Sequence, residues 1–261
     1  MLEIKDVHKT FNPGTINEKK ALNGLNLTLN DGDFVTVIGG NGAGKSTMLN
    51  MIAGVYPVDS GSIIIDGVNV TKLPEHKRAK YLGRVFQDPM MGTAADMWIE
   101  ENMALASRRG QIRGLKWAIN NKEREQFKAM LSELDLGLEN RLSAKVGLLS
   151  GGQRQALTLL MAVMKKPKLL LLDEHTAALD PKTAAKVLEL SNKFISEDHL
   201  TAMMITHNMK DAITYGNRLI MMNNGKIILD VSGEEKKKLT VEYLLDAFTK
   251  LSGSEFANDR A

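Results

Sequence analysis

The chain has 261 residues, with 34 Lys and Arg against 31 Asp and Glu for a formal net charge of +3, 43% hydrophobic and 25% charged residues, and no cysteine. That composition belongs to an ordinary globular protein with a sizeable core; it excludes disorder for most of the chain and leaves too little net charge to argue for nucleic acid or anionic lipid as the main partner. The lack of cysteine excludes disulfides, thiolate nucleophiles, iron–sulfur clusters and cysteine zinc sites together.

Met1-Leu2-Glu3-Ile4-Lys5-Asp6 places charges where a secretory signal needs an apolar core, so no targeting segment is expected. Leu2, Ile4 and Val7, then Leu25, Leu27 and Leu29, alternate with polar residues as half-buried strands do, and Asn12 to Gly14 is a loop between them. Phe34 to Ile38 is a near-continuous β-branched run of the kind a buried strand shows, ending in Gly39-Gly40, and from Gly44 the pattern turns helical through Met48, Leu49 and Ile52. Ile63 to Val68 reads as a hairpin and Arg84 to Phe86 as a further strand. Helical periodicity then takes over at Met97 to Ala106, Lys122 to Leu134 and Gly152 to Lys165. The longest nearly apolar stretch, Ala156 to Met164, is far short of the roughly 18 residues of a spanning helix. A second α/β stretch follows: strands at Leu169 to Leu172 and Ala202 to Ile205 flank a helix over Pro181 to Ile195, and Leu219 to Met222 and Lys226 to Leu229 form a hairpin around Asn224-Gly225. The methionines Met48, Met51, Met161, Met164, Met203, Met204, Met221 and Met222 fall on apolar runs and read as core filler.

Gly39-Gly40-Asn41-Gly42-Ala43-Gly44-Lys45-Ser46 satisfies the phosphate-binding loop pattern between a strand and a helix. Glycines let successive N–H groups turn inward on phosphates, and the helix N-terminus adds unspent donors and its positive dipole end. Lys45 would reach the β- and γ-phosphate oxygens, and the Ser46 hydroxyl would ligate Mg²⁺. Leu169 to Leu172 runs into Asp173-Glu174. If that strand neighbours Phe34 to Ile38, the acids emerge beside the loop, Asp173 holding the metal through water and Glu174 polarising the attacking water. Leu149-Ser150-Gly151-Gly152-Gln153 adds a serine N-cap with glycine N–H groups at a helix start, a second anion site.

These motifs, in this order, resemble the ATP-binding subunit of ABC transporters over about Met1 to Leu229. The resemblance implies ATP and Mg²⁺ as cofactors and ATP hydrolysis as the reaction. It implies nucleotide binding by Phe11, Gly39, Gly40, Asn41, Gly42, Ala43, Gly44, Lys45, Ser46, Thr47 and Gln87, with Phe11 stacking on adenine and Ser46, Gln87 and Asp173 around the metal. It further implies that Ser150, Gly151, Gly152 and Gln153 contact the ATP of a partner subunit, that His207 reaches the γ-phosphate, and that Asp180 lies in a loop linking the two sites. Glu174, His207 and Lys45 are then the catalytic set. The implied fold is α/β: a P-loop ATPase core with a mixed, mostly parallel sheet and an N-terminal antiparallel β portion (1–87 and 167–261), an inserted α-helical subdomain (88–166), and a polar tail over 252–261.

The family's role would be to power translocation through a separate integral membrane permease, as a homodimer or heterodimer of ATPase subunits held peripherally at the cytoplasmic face of the membrane. The length and the run Asp173 to Asp180 are similar to bacterial importer ATPases, including those for amino acids such as tryptophan and tyrosine, which would add an extracytoplasmic substrate-binding protein. Two other classes stay open at this point: exporter ATPases for lipid, peptide or drug, which use the same engine, and non-transport ABC ATPases of translation or DNA repair. The latter resemble two fused units or carry coiled-coil arms, whereas this chain has one phosphate loop, one signature and no sustained heptads. A P-loop kinase or GTPase would leave Leu149 to Gln153 unexplained. His175, directly after Glu174 where the family often has proline, reads as a packing residue. The basic stretch with Arg108, Arg109, Arg113, Lys116 and Lys122 reads either as a solvated loop or as a docking surface for an acidic membrane partner or lipid head groups.

Overall fold

The computed structural model describes residues 1–111 and 119–252. Along the chain run β1 (Leu2–Phe11), β2 (Lys19–Leu29), β3 (Phe34–Gly39), α1 (Lys45–Ala53), β4 (Ser60–Ile65), β5 (Val68–Asn69), α2 (Glu75–Arg78), β6 (Leu82–Val85), α3 (Ile99–Ser107), α4 (Asn121–Ser132) and α5 (Gly151–Val163). They are followed by β7 (Leu169–Asp173), α6 (Pro181–Glu197), β8 (Ala202–Ile205), α7 (Met209–Thr214), β9 (Arg218–Asn223), β10 (Lys226–Ser232), α8 (Gly233–Lys237) and α9 (Val241–Ser252). The chain divides into two compact units, Met1–Glu75 with Thr201–Ala261, and His76–Leu200.

In the first unit, the alternating apolar residues of β1 pair antiparallel with β2 on one side and β4 on the other, Leu2 lying opposite both Leu29 and Ile65. A separate parallel set has β3 at its centre: Val37 is registered with Ile205 of β8 and with Ile220 of β9, so both edges of β3 are taken. The strand is apolar on both faces because both are covered, and its one hydroxyl, Thr36, donates to the Ala212 carbonyl at 2.8 Å. Asn224 and Gly225, at φ 47 and 73, make the tight turn that joins β9 to β10. Met48, Met51, Met203, Met204, Met221 and Met222 are buried as expected. Helix α9 was not foreseen from the sequence: its Leu244 and Phe248 enter a cluster with Ile38, Ala212, Leu219 and Met221.

In the second unit β6 and β7 run parallel, Val85 opposite Leu172. Helix α5 is buried from Arg154 to Val163 and passes so close to β6 that a Cβ on Gly83 would stand 2.6 Å from the Ala162 carbonyl oxygen. Met161 is buried with it, while Met164 is only half-buried. Helices α3 and α4 are joined by a two-point ion pair, Arg124 Nε and Nη2 donating to Glu100 at 2.8 and 3.2 Å. Within the basic stretch after α3, Arg108 pairs with Glu123 at 2.8 Å, Arg109, half-buried, donates to the Ala162 carbonyl at 2.9 Å, and Lys122 is exposed. Arg113 and Lys116, and residues 253–261 of the expected tail, lie outside the described residues.

Candidate active site

In the first unit, β3 delivers the chain into the glycine loop and α1 begins at Lys45. Gly39 and Gly44 take φ of 151 and 103, and a Cβ on them would meet the Met222 and Ala21 carbonyl oxygens at 2.3 and 2.6 Å, so only glycine fits. The loop is pinned from outside as well, Gly225 N–H donating to the Ala43 carbonyl at 3.0 Å. Lys45 is 5% exposed and donates to the Gly39 and Gly40 carbonyls at 2.7 and 3.1 Å, which folds its ammonium along the loop. Gly44 caps α1 without a side chain, leaving the first-turn N–H groups around Ser46 and Thr47 to an outside acceptor. Parallel pairing of β3 with β8 sends Gly40 and His207 out at the same carboxyl end. Phe11 closes β1 half-buried, its ring edge-on to Tyr56 at 5.3 Å. Opposite it in register is Lys19, whose ammonium lies 3.0 Å from where a Gly42 Cβ would be.

In the second unit the parallel register of β6 and β7 brings Gln87 and the Asp173-Glu174 pair to one end. Asp173 Oδ2 is 3.7 Å from Arg84 Nη2. Glu174 holds a left-handed backbone, φ 48, a strain of about 1–2 kcal/mol for a residue with a Cβ; such strain persists where surroundings over-determine it, commonly at functional sites. The signature segment starts α5 with a reciprocal cap: Gln153 N–H donates to Ser150 Oγ at 3.3 Å and Ser150 N–H to Gln153 Oε1 at 3.2 Å. Gly151 and Gly152 N–H groups are first-turn donors that no intrahelical carbonyl takes. A Cβ on Gly152 would stand 2.0 Å from Thr183 Cγ2, so the glycine also lets α5 approach the start of α6. Asp180 caps that start, accepting from Thr183 N–H at 3.1 Å, and hydrogen bonding from the Thr183 hydroxyl first, then from this N–H, holds its carboxyl below the usual range. The condition that β7 lie directly beside β3 is not met: β8 and β9 occupy both sides of β3, and the registered partner of β7 is β6. The reason is that a parallel neighbour is chosen by crossover connections, which local pattern does not encode.

A family model for ABC transporters matches residues 22–177. A tyrosine transport ATP-binding protein of Clostridioides difficile is 46% identical over 253 residues, covering 95% of this chain and 98% of that protein. The chain belongs to the ABC transporter ATP-binding family. A xylose/arabinose import ATP-binding protein of Sulfolobus acidocaldarius is 33% identical, covering 97% of this chain and 95% of its own length. A solved dimeric ATP-binding cassette in a post-hydrolysis state, bound to ADP and Pi, superposes with a TM-score of 0.75 at 30% identity, covering 89% of this chain and 98% of that one. This ABC ATPase therefore binds and hydrolyses ATP on the expected α/β fold.

Some neighbours of the ABC ATPase motifs escaped the sequence reading. Besides Lys19, they are Arg154, whose guanidinium donates to the carbonyls of Val146 and Gly147 ahead of the signature, and Gln155, a buried amide on α5. His175 is 2% exposed and burial pushes its imidazole down to about 4, so it is neutral near pH 7. Ser191 donates its hydroxyl to the Val187 carbonyl, so His175 Nε2, 2.9 Å from Ser191 Oγ, carries the proton and donates. It packs, as expected, as an uncharged ring at neutral pH.

Proposed function

We propose that the chain is the ATPase subunit of an importer for a small solute, an amino acid of the tyrosine or tryptophan kind. The observation that carries this is the near end-to-end match to a tyrosine transport ATP-binding protein at 46% identity; the sugar-import relative, also matched over its whole length, supports import as the direction. No helix among the described residues is long and apolar enough to cross a membrane, so an energising role needs a separate permease, holding this subunit peripherally at the cytoplasmic face. A cleft of about 440 Å³ in the second unit, lined by Met91, Leu105, Met161, Arg84 and Arg109 among others, suits a cytoplasmic segment of that permease with apolar and acidic side chains. An importer of this class would collect its solute from an extracytoplasmic binding protein.

For hydrolysis, Glu174 accepts the proton of the water that attacks the γ-phosphorus in line, and the β–γ bridging oxygen leaves with ADP. Lys45, His207 and the partner's Ser150, Gly151 and Gly152 take up the charge spread over the transferring phosphoryl oxygens. Phe11 offers its face to the adenine, and the loop N–H groups from Gly39 to Thr47 hold the phosphates. Among the described residues no His, Asp and Glu cluster forms a metal cage, which fits Mg²⁺, an ion that keeps waters and phosphate oxygens in its shell and needs few protein ligands. Ser46, Gln87 and, through water, Asp173 would hold it, and it would neutralise charge on the β- and γ-phosphates. We further propose the helical block 88–166 as the part that carries the signature to a second subunit, with Asp180 linking the two sites.

Glu174→Gln is expected to bind ATP with native affinity, to hydrolyse it at least about 100-fold more slowly, and to accumulate as an ATP-bound dimer in sedimentation. Native turnover by that variant would overturn the base assignment. For the substrate, vesicles carrying the permease and this subunit, with ATP sealed inside on the subunit's side and the binding protein added outside, should accumulate labelled tyrosine or tryptophan; ATP-driven movement of the label out of the vesicles would overturn the importer reading, and uptake of neither would overturn the amino-acid reading.

A further inference from the structure

Gln155 is fully buried on α5, two residues beyond the signature. Its Nε2 gives one hydrogen to the Phe86 carbonyl at 2.9 Å and the other to the His175 carbonyl at 2.6 Å. Phe86 directly precedes Gln87, and His175 directly follows Glu174. The amide cannot be turned over, because its oxygen would then face two carbonyl oxygens. In the orientation observed, Oε1 is buried with no hydrogen-bond partner among the described residues. A buried polar atom left unsatisfied is costly. The side chain accepts that cost while spending both donors on the two strand ends.

The left-handed Glu174 gives the second carbonyl its importance. The Glu174 carbonyl is fixed by Ala177 N–H at 2.9 Å and the next carbonyl, that of His175, by Gln155. With both held, the peptide planes on the C-terminal side of Glu174 cannot rotate freely, and relaxation of its strained φ is blocked. The same amide holds the plane that leads into Gln87.

We propose, resting on the reading of Glu174 as the base and Gln87 as a metal ligand, that Gln155 is a positioning residue for both, tying them through one side chain to the helix that carries Ser150, Gly151 and Gly152. Movement of the signature helix as it engages a partner's ATP then moves the Glu174 and Gln87 backbones of its own chain, so each subunit's catalytic readiness responds to its engagement in the dimer.

The test is Gln155→Met, close in volume but without donors. At a temperature well below the melting points of both proteins, kcat should fall about tenfold or more while the Kd for ATP stays within about twofold of native, because a misplaced base slows chemistry without touching the phosphate loop. A purely structural role would lower the melting temperature and leave kcat of the folded enzyme intact. If Gln155→Met does not fold, Gln155→Asn, a donor too short to span both carbonyls, is measured in the same way with the same expected split. Native kcat in the folded variant, or an equal loss of ATP affinity, overturns the proposal. Glu174→Gln run in parallel separates the two readings: if it turns over normally the base assignment fails, whereas a silent Glu174→Gln beside a native-rate Gln155 variant overturns the positioning role alone.

Discussion

A Cβ on Gly44 would press on the Ala21 carbonyl oxygen at 2.6 Å, whereas one on Gly14, at a comparably positive φ of 74, would meet nothing within 4 Å. The two positions separate backbone conformation from crowding. Gly14→Ala should cost only the left-handed penalty, about 1–2 kcal/mol, and Gly44→Ala clearly more, since a backbone oxygen has no rotamer with which to withdraw; urea unfolding of both variants measures the gap, and equal losses would show that the loop yields. Lys236 offers a titration at the same scale. Its ammonium is buried, donating to the Tyr215 and Gly216 carbonyls at the end of α7, and burial pushes it from the ordinary 10.5 down to about 8. The unfolded chain therefore binds more protons between those values, so this residue's contribution to stability is level below pH 8 and rises as pH climbs from 8 to 10.5. Denaturation across that range should show the native protein gaining on Lys236→Met through that window; a level difference would overturn the assignment.

Among the elements, α9 shows what local pattern did and did not convey. Its Leu244 and Phe248, four apart, face the cluster around Ile38, and Thr240 Oγ1 accepts from Tyr243 N–H at its start. Those signals were present in the sequence, diluted by Tyr243 and Leu245, which are half-exposed. Phe248→Ala should cost about 3–5 kcal/mol of stability and Leu245→Ala less than about 1 kcal/mol, by chemical denaturation; similar losses would mean that α9 does not dock as described. The phosphate loop, the signature and most strands were legible because each is a contiguous run whose spacing carries its own physics. Helices α7 and α8 are too short to establish a period. The partners of β3 and the grip of Gln155 were not legible, since Gln155 reaches residues 69 and 20 positions away, and such pairings arise from topology.

At the scale of the whole molecule, the chain carries one phosphate loop and one signature, and the solved relative bound to ADP and Pi is dimeric. If two subunits meet head to tail, each nucleotide site takes its loop from one chain and its signature from the other, and the parts become separable by mixing. Lys45→Ala removes the loop cation and leaves the signature intact; Ser150→Arg fills the signature and leaves the loop intact. Neither variant alone should hydrolyse ATP, because every site in its homodimer lacks one component. In an equimolar mixture about half of the dimers are mixed, and each mixed dimer assembles one complete site and one doubly damaged site, so activity should recover to about a quarter of native. Turnover that stays at the sum of the two inactive parents would mean that loop and signature act within one chain or that both sites must be intact at once. Mixing native chains in equal amounts with the double variant Lys45→Ala/Ser150→Arg distinguishes these. If loop and signature act within one chain, the native chains keep about half of native activity whatever their partner. If the sites are shared, every mixed dimer has both sites broken, and activity falls to the all-native quarter of the dimers.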